Sequence, residues 1–122
     1  MYDHTVPYHA NLRNVQHQRV LKMLQHCEAV CELTEYYVLT REDLRHRKDQ
    51  LRMLRDCADI CTLTAKYIAR YSRFSKSLAL LCAKICEVCG NHCSQQPDQQ
   101  SQTCGQTCLQ CAQECRSFAM SS

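Results

Sequence analysis

The chain has no tryptophan, two glycines and two prolines, and no apolar run long enough to span a bilayer. So little turn punctuation argues against a sandwich or barrel of many short strands and suits an all-helical protein. A strong charge of one sign is missing as well. The net charge is +3, and basic and acidic residues alternate through residues 41–59, as on a solvated helix face. That pattern is not a footprint for nucleic acid or for a membrane surface. The opening Met1-Tyr2-Asp3-His4 has no basic stretch, and no apolar stretch follows before the polar run 11–19. We therefore expect no secretory signal and a cytoplasmic location, where thiols stay reduced. At 122 residues, 22% of them charged, the chain has the size and composition of one folded domain spanning 1–122.

What the sequence has in abundance is cysteine, with twelve residues. Cys82, Cys86, Cys89 and Cys93 fall at offsets 0, 4, 7 and 11, and Cys104, Cys108, Cys111 and Cys115 repeat them. On a helix those offsets lie within a stripe roughly 60° wide. Half-filled copies occur at Cys27 and Cys31, and at Cys57 and Cys61. Aligned on the first cysteine, the earlier segments read Met23-Cys27-Cys31-Thr34-Val38 and Met53-Cys57-Cys61-Thr64-Ile68. The later ones read Leu78-Cys82-Cys86-Cys89-Cys93 and Gln100-Cys104-Cys108-Cys111-Cys115.

The amphipathic pattern predicts helices over about 11–39, 42–71, 76–94 and 99–118. On the first, Leu12, Val15, Val20, Met23, Val30 and Val38 join the cysteines. On the second, Leu44, Leu51, Met53, Leu54, Ile60 and Ile68 do so. Thr40 followed by Glu42 and Asp43 reads as a capping box, and Ser75 as the N-cap of the third helix. Residues 95–100, polar and containing Pro97, form the clearest loop. We expect residues 1–10 to be irregular or a short capping turn, and 119–122 to fray. The short connections predict an antiparallel up-down four-helix bundle, its core lined by all twelve thiols.

One register repeated over four helices is not chance packing of small apolar residues, and points to metal. Cysteines one helical turn apart have Cβ atoms about 5–6 Å apart, too far for the usual disulfide, although facing helices remain open to bridging on oxidation. Thiolates select Cu(I), zinc or iron–sulfur cores. Zinc sites are usually closed by short ligand spacings in loops, and a continuous helical column offers no isolated set of four. Twelve cysteines divide into three iron–sulfur sets, but without the compact ferredoxin-type spacing. Cu(I) takes two or three thiolates, so neighbouring ions can share a ladder of i,i+3 and i,i+4 pairs, which fits the offsets best. An electron-transfer protein with iron–sulfur clusters and a thiol-redox-responsive structural bundle stand as alternatives.

These residues, from the first helix to Cys115, resemble the cysteine-rich four-helix-bundle copper storage proteins, particularly their cytosolic bacterial members. The resemblance implies a core that fills with several Cu(I) ions held by thiolates, in a homo-oligomer that is often a tetramer. Copper ions are the expected partner, together with a copper donor or acceptor protein that the sequence does not identify. With only two cysteines on each of the first two helices, the capacity should be lower than that of fuller members.

Outside the stripe, Met23 and Met53 lie one turn before the first cysteine of their helices. Each is either a soft thioether ligand or core filler. His26 and His92 neighbour cysteines but sit some 80–100° off the stripe, with His92 placed to guide an ion at a bundle end. His4 is not at the third position, as a terminal copper chelate would need. Thr34 and Thr64 are expected to bond a carbonyl one turn back while plugging the column. No Cys–His–Asp set can be assembled and the two glycines form no phosphate cradle, so the sequence gives no enzyme.

Overall fold

The computed structural model describes residues 8–121, with side chains from Val15 onward. The expected irregular stretch over residues 1–10 is not what forms at its end, because residues 8–10 are already the first turn of a helix. The stretch before Tyr8, the placement of His4 and the inward side of Leu12 lie outside the described residues. Four helices follow one another: α1 (Tyr8–Leu39), α2 (Lys48–Ala69), α3 (Ser75–Ser94) and α4 (Gln99–Met120). Each packs against its neighbour in the chain, and α1 closes the ring against α4. This is the antiparallel up-down bundle that the periodicity predicts. No described residue is in a strand.

The expected start of the second helix at Glu42 is not what forms. A single 3-10 turn, Leu44–His46, intervenes, and α2 begins at Lys48. The Thr40 hydroxyl donates back to the Tyr37 carbonyl at 2.7 Å instead of capping forward. The reason lies in Arg47, which is only 2% exposed. Its Nε donates to Asp43 (3.1 Å) and its Nη2 to Asp98 (2.8 Å), across the loop between α3 and α4. A continuous helix from Glu42 would give up this buried ion pair, and an exposed capping box contributes less.

Three further boundaries differ from expectation. The hydroxyl of Ser75 donates to the carbonyls of Ser72 (2.7 Å) and Tyr67 (3.1 Å), so Ser75 is the first residue of α3 and Phe74 precedes it. Helix α2 stops at Ala69, because Tyr71 turns left-handed (φ 56°). The Ser72 amide then donates to Tyr67 and the Tyr71 amide to Ile68, a Schellman closure without glycine. Asp98 caps α4 by accepting from the Ser101 amide at 3.0 Å, and α4 continues past Phe118 to Met120.

Helices α3 and α4 approach each other closely at their glycines. A Cβ built on Gly105 would lie 2.3 Å from Ser94 Oγ and 2.8 Å from the Gly90 carbonyl. One on Gly90 would lie 2.9 Å from the Gly105 carbonyl. Gly90 and Gly105 are therefore close-approach residues, each leaving room for the other's backbone.

Candidate metal centre

All twelve cysteines are fully buried, and none forms a disulfide. The inward faces carry them at the positions the stripe predicts, but the flanking residues differ in part. Leu24, Leu54, Ala79 and Ser101, each three residues before a first cysteine, are all buried. That places Leu24 and Leu54 above their cysteines, while Met23 and Met53 are partly buried against the side of the core. Val15, expected inside, is 61% exposed, and Leu44 and Leu51 are half-buried. His26 is exposed and His92 half-buried.

Ten of the sulfurs form a continuous array. Cys108 lies 3.9 Å from Cys27, 3.6 Å from Cys31, 3.9 Å from Cys57 and 3.9 Å from Cys89. Cys86 lies 3.5 Å from Cys57, 3.7 Å from Cys61 and 3.8 Å from Cys82. Cys82 reaches Cys61 and Cys115 at 3.9 Å each, and Cys89 reaches Cys93 at 4.0 Å. These gaps are about twice a disulfide bond and suit an ion between thiolates.

Two groups of four stand out, with every ligand atom within 4.8 Å of the other three: Cys27, Cys31, Cys57 and Cys108, and Cys27, Cys57, Cys61 and Cys86. Exchanging α1 with α2 and α3 with α4 turns the first group into the second, so the core has an internal pseudo-twofold. Neither group is isolated, as expected of a continuous column, since they share Cys27 and Cys57 and touch Cys82 and Cys89. That four thiols converge at all was not expected. The sets are assembled across three helices each, which spacing within one helix does not reveal.

The electrostatics follow from burial and mutual hydrogen bonding. Thiols Cys108, Cys111, Cys31 and Cys57 bond Cys27 and hold it below the usual thiol value, against desolvation. Bonds with Cys104, Cys27, Cys31 and Cys57, together with burial, push Cys108 up. A cation that takes these thiols as thiolate ligands displaces their protons.

The Arg47 end of the column is closed by side chains that the sequence reading did not single out. Gln50, fully buried, donates from Nε2 to Ser101 Oγ (2.8 Å) and towards Cys93 Sγ (3.5 Å). Arg47 Nη1 donates to Gln50 Oε1 at 2.9 Å, fixing that amide. Extending the stripe back by seven residues from the first cysteines of α1, α2 and α3 reaches Val20, Gln50 and Ser75, all buried, whereas on α4 it reaches the exposed loop residue Pro97. The register on α2 was the available signal for Gln50. Thr34 does bond the Val30 carbonyl at 2.7 Å, and it accepts from Gln100 Nε2 at 3.0 Å. Thr64 does not follow it: its buried hydroxyl has no partner among the described residues. The position on α3 matching Gln100 is Leu78, which has nothing to donate.

A family model described as copper storage protein matches residues 13–120. The chain belongs to the copper storage protein family. Among solved members, a structure described as Cu(I)-bound copper storage protein BsCsp3 is 33% identical. It covers 85% of this chain and 98% of its own, with a TM-score of 0.82. Copper storage protein 3 from Bacillus subtilis in its apo form is also 33% identical, with coverage of 84% and 97% and a TM-score of 0.79. A cytosolic copper storage protein from Streptomyces lividans, described with five coppers, is 21% identical. Its TM-score is 0.87 over 92% of this chain and 98% of its own, and it shares the fold. No curated protein matches the chain significantly. The comparisons lend no support to the iron–sulfur alternative. No helix among the described residues is long and apolar enough to cross a membrane.

Proposed function

We propose that this copper storage family member binds and stores several Cu(I) ions in the cytoplasm, with the twelve buried cysteines as ligands. The observation that carries the reading is the connected chain of sulfur–sulfur gaps of 3.5–4.0 Å that joins ten of the twelve thiols through the core. A soft monovalent ion can take two or three of these thiolates and pass to the next pair by ligand exchange. The family match and the Cu(I)-bound relative support the choice of ion. Storage, rather than catalysis, suits a site whose reactive groups are all fully covered.

Met23 and Met53, packed beside the column, and His92 near the Arg47 end are auxiliary ligand candidates. A copper donor or acceptor protein is the partner this role requires. Outward-facing Leu33, Tyr36 and Leu63, each more than 40% exposed, are apolar surface available to a homo-oligomer, a tetramer by family resemblance. Light scattering tests that assembly directly.

The deciding experiment is anaerobic titration of the reduced protein with Cu(I) against a competing chelator. We expect tight uptake of several colourless ions per chain, and fewer when Cys86, Cys89, Cys108 and Cys111 are replaced by serine. Unchanged stoichiometry in that variant overturns the reading.

A further inference from the structure

Four sulfurs around a zinc ion at about 2.3 Å are about 3.8 Å apart in a regular tetrahedron. In the first four-thiol group, Cys108 sits 3.9, 3.6 and 3.9 Å from Cys27, Cys31 and Cys57. In the second, Cys86 sits 3.5 and 3.7 Å from Cys57 and Cys61. All pairs within each group stay under 4.8 Å. The gaps around Cys108 in the first group and around Cys86 in the second are close to tetrahedral spacing before any ion arrives. Digonal or trigonal Cu(I) does not require that arrangement, since it leaves at least one of the four sulfurs unused.

The groups share Cys27 and Cys57. Two sets of four with two members in common make six ligands for two ions, with the shared pair bridging. We propose that the centre of the bundle is also a binuclear site for divalent tetrahedral ions of the zinc class. In it Cys27 and Cys57 bridge, Cys31 and Cys108 complete one ion, and Cys61 and Cys86 complete the other. Two divalent ions and six thiols give a dianionic cluster and six released protons. Around it Cys82, at 3.9 Å from Cys61 and 3.8 Å from Cys86, and Cys89, at 3.9 Å from Cys108, stand ready to donate S–H bonds to the bound sulfurs. Those neighbours stabilise the cluster's charge where water is absent.

The proposal does not depend on copper storage, because it rests on the spacing of six sulfurs alone. At low copper the site makes the protein a zinc-class binder, and ions of the two classes compete for the same six thiols.

The test is anaerobic titration of the reduced full chain with Zn²⁺ against a chromophoric chelator, repeated with Co²⁺ as a spectroscopic reporter. We expect two tight Zn²⁺ per chain. Two Co²⁺ should give intense tetrahedral thiolate spectra and a magnetic moment lowered by coupling through the bridges. Cys31→Ser and Cys61→Ser should each leave one tight ion, with circular dichroism confirming that each variant folds. Cys93→Ser, outside the six, should keep both zinc ions. Fewer than two tight zinc ions, uncoupled cobalt, or loss of an ion in Cys93→Ser overturns the proposal. Cu(I) titration of the same Cys93→Ser protein, where a lower capacity is expected, reads the storage function separately.

Discussion

Arg47 Nη2 and Asp98 Oδ1 lie 2.8 Å apart although 51 residues separate them in the chain, with side chains 2% and 5% exposed. The pair fastens the α1–α2 connection to the loop between α3 and α4 over the end of the thiol column. Removing one partner strands the other charge in a dry site. Arg47→Ala should therefore cost about 3–5 kcal/mol of unfolding free energy, read as a drop in the urea midpoint at neutral pH. A loss similar to that of an exposed pair such as Arg52–Asp49, below about 1 kcal/mol, would show that the lock contributes little.

Acid should release the same lock. Desolvation opposes ionisation of Asp98, but Arg47 and Ser101 outweigh it and hold the carboxyl below the usual carboxylate range. Its folded value is depressed, so its stabilising contribution is complete above the unfolded carboxylate value of about 3.9. The contribution is lost as pH falls through the folded value. Urea midpoints measured between about pH 6 and pH 2 should fall for the native chain. For Asp98→Asn they should start lower and change less. Parallel curves for the two proteins would assign the acid sensitivity elsewhere.

Gly105→Ala should damage the bundle out of proportion to a single methyl. The new carbon would meet Ser94 Oγ at 2.3 Å and the Gly90 carbonyl at 2.8 Å. The serine hydroxyl can rotate away, but the backbone of α3 has to move. Overpacking of this kind costs about 1–3 kcal/mol, visible as a lower melting temperature for the metal-free protein. A variant as stable as the parent would show that α3 and α4 separate easily there.

The two threonines should respond oppositely to the same substitution. Thr34→Val removes an acceptor from Gln100 and a donor from the Val30 carbonyl, and should cost about 1 kcal/mol. Thr64→Val removes a buried hydroxyl that has no partner, and should be neutral or stabilising by up to about 1 kcal/mol. Matched denaturation curves decide it; equal losses at both sites would mean that Thr64 is bonded in solution.

The four helices were legible in the sequence because their inward residues recur with the helical period and the stripe carries one chemically distinctive residue. Cys27 to Cys115 could be placed on inward faces from spacing alone. Other features depend on partners far away in the chain. Thr40, Glu42 and Asp43 look like a cap until Arg47 is seen to prefer Asp98, and that preference is a tertiary fact. The four-thiol groups were hidden for the same reason. Cys57 is a member of both, yet its companions Cys27, Cys86 and Cys108 come from three other helices, so no local motif could announce them. Met23 and Met53 were credited to the stripe because an offset of four and an offset of three both fit a helix face. The choice fell to Leu24 and Leu54, which point at the bundle axis.

The contact between Gly90 and Gly105 fixes the separation of two walls of the column by backbone against backbone, which leaves no soft side chain to yield. A vessel braced in that way is set by its frame, so its capacity is a count of internal sites and not a matter of how far it can swell. Charging and emptying it should then leave its outline unchanged, and a partner protein reading that outline alone could not tell a full container from an empty one.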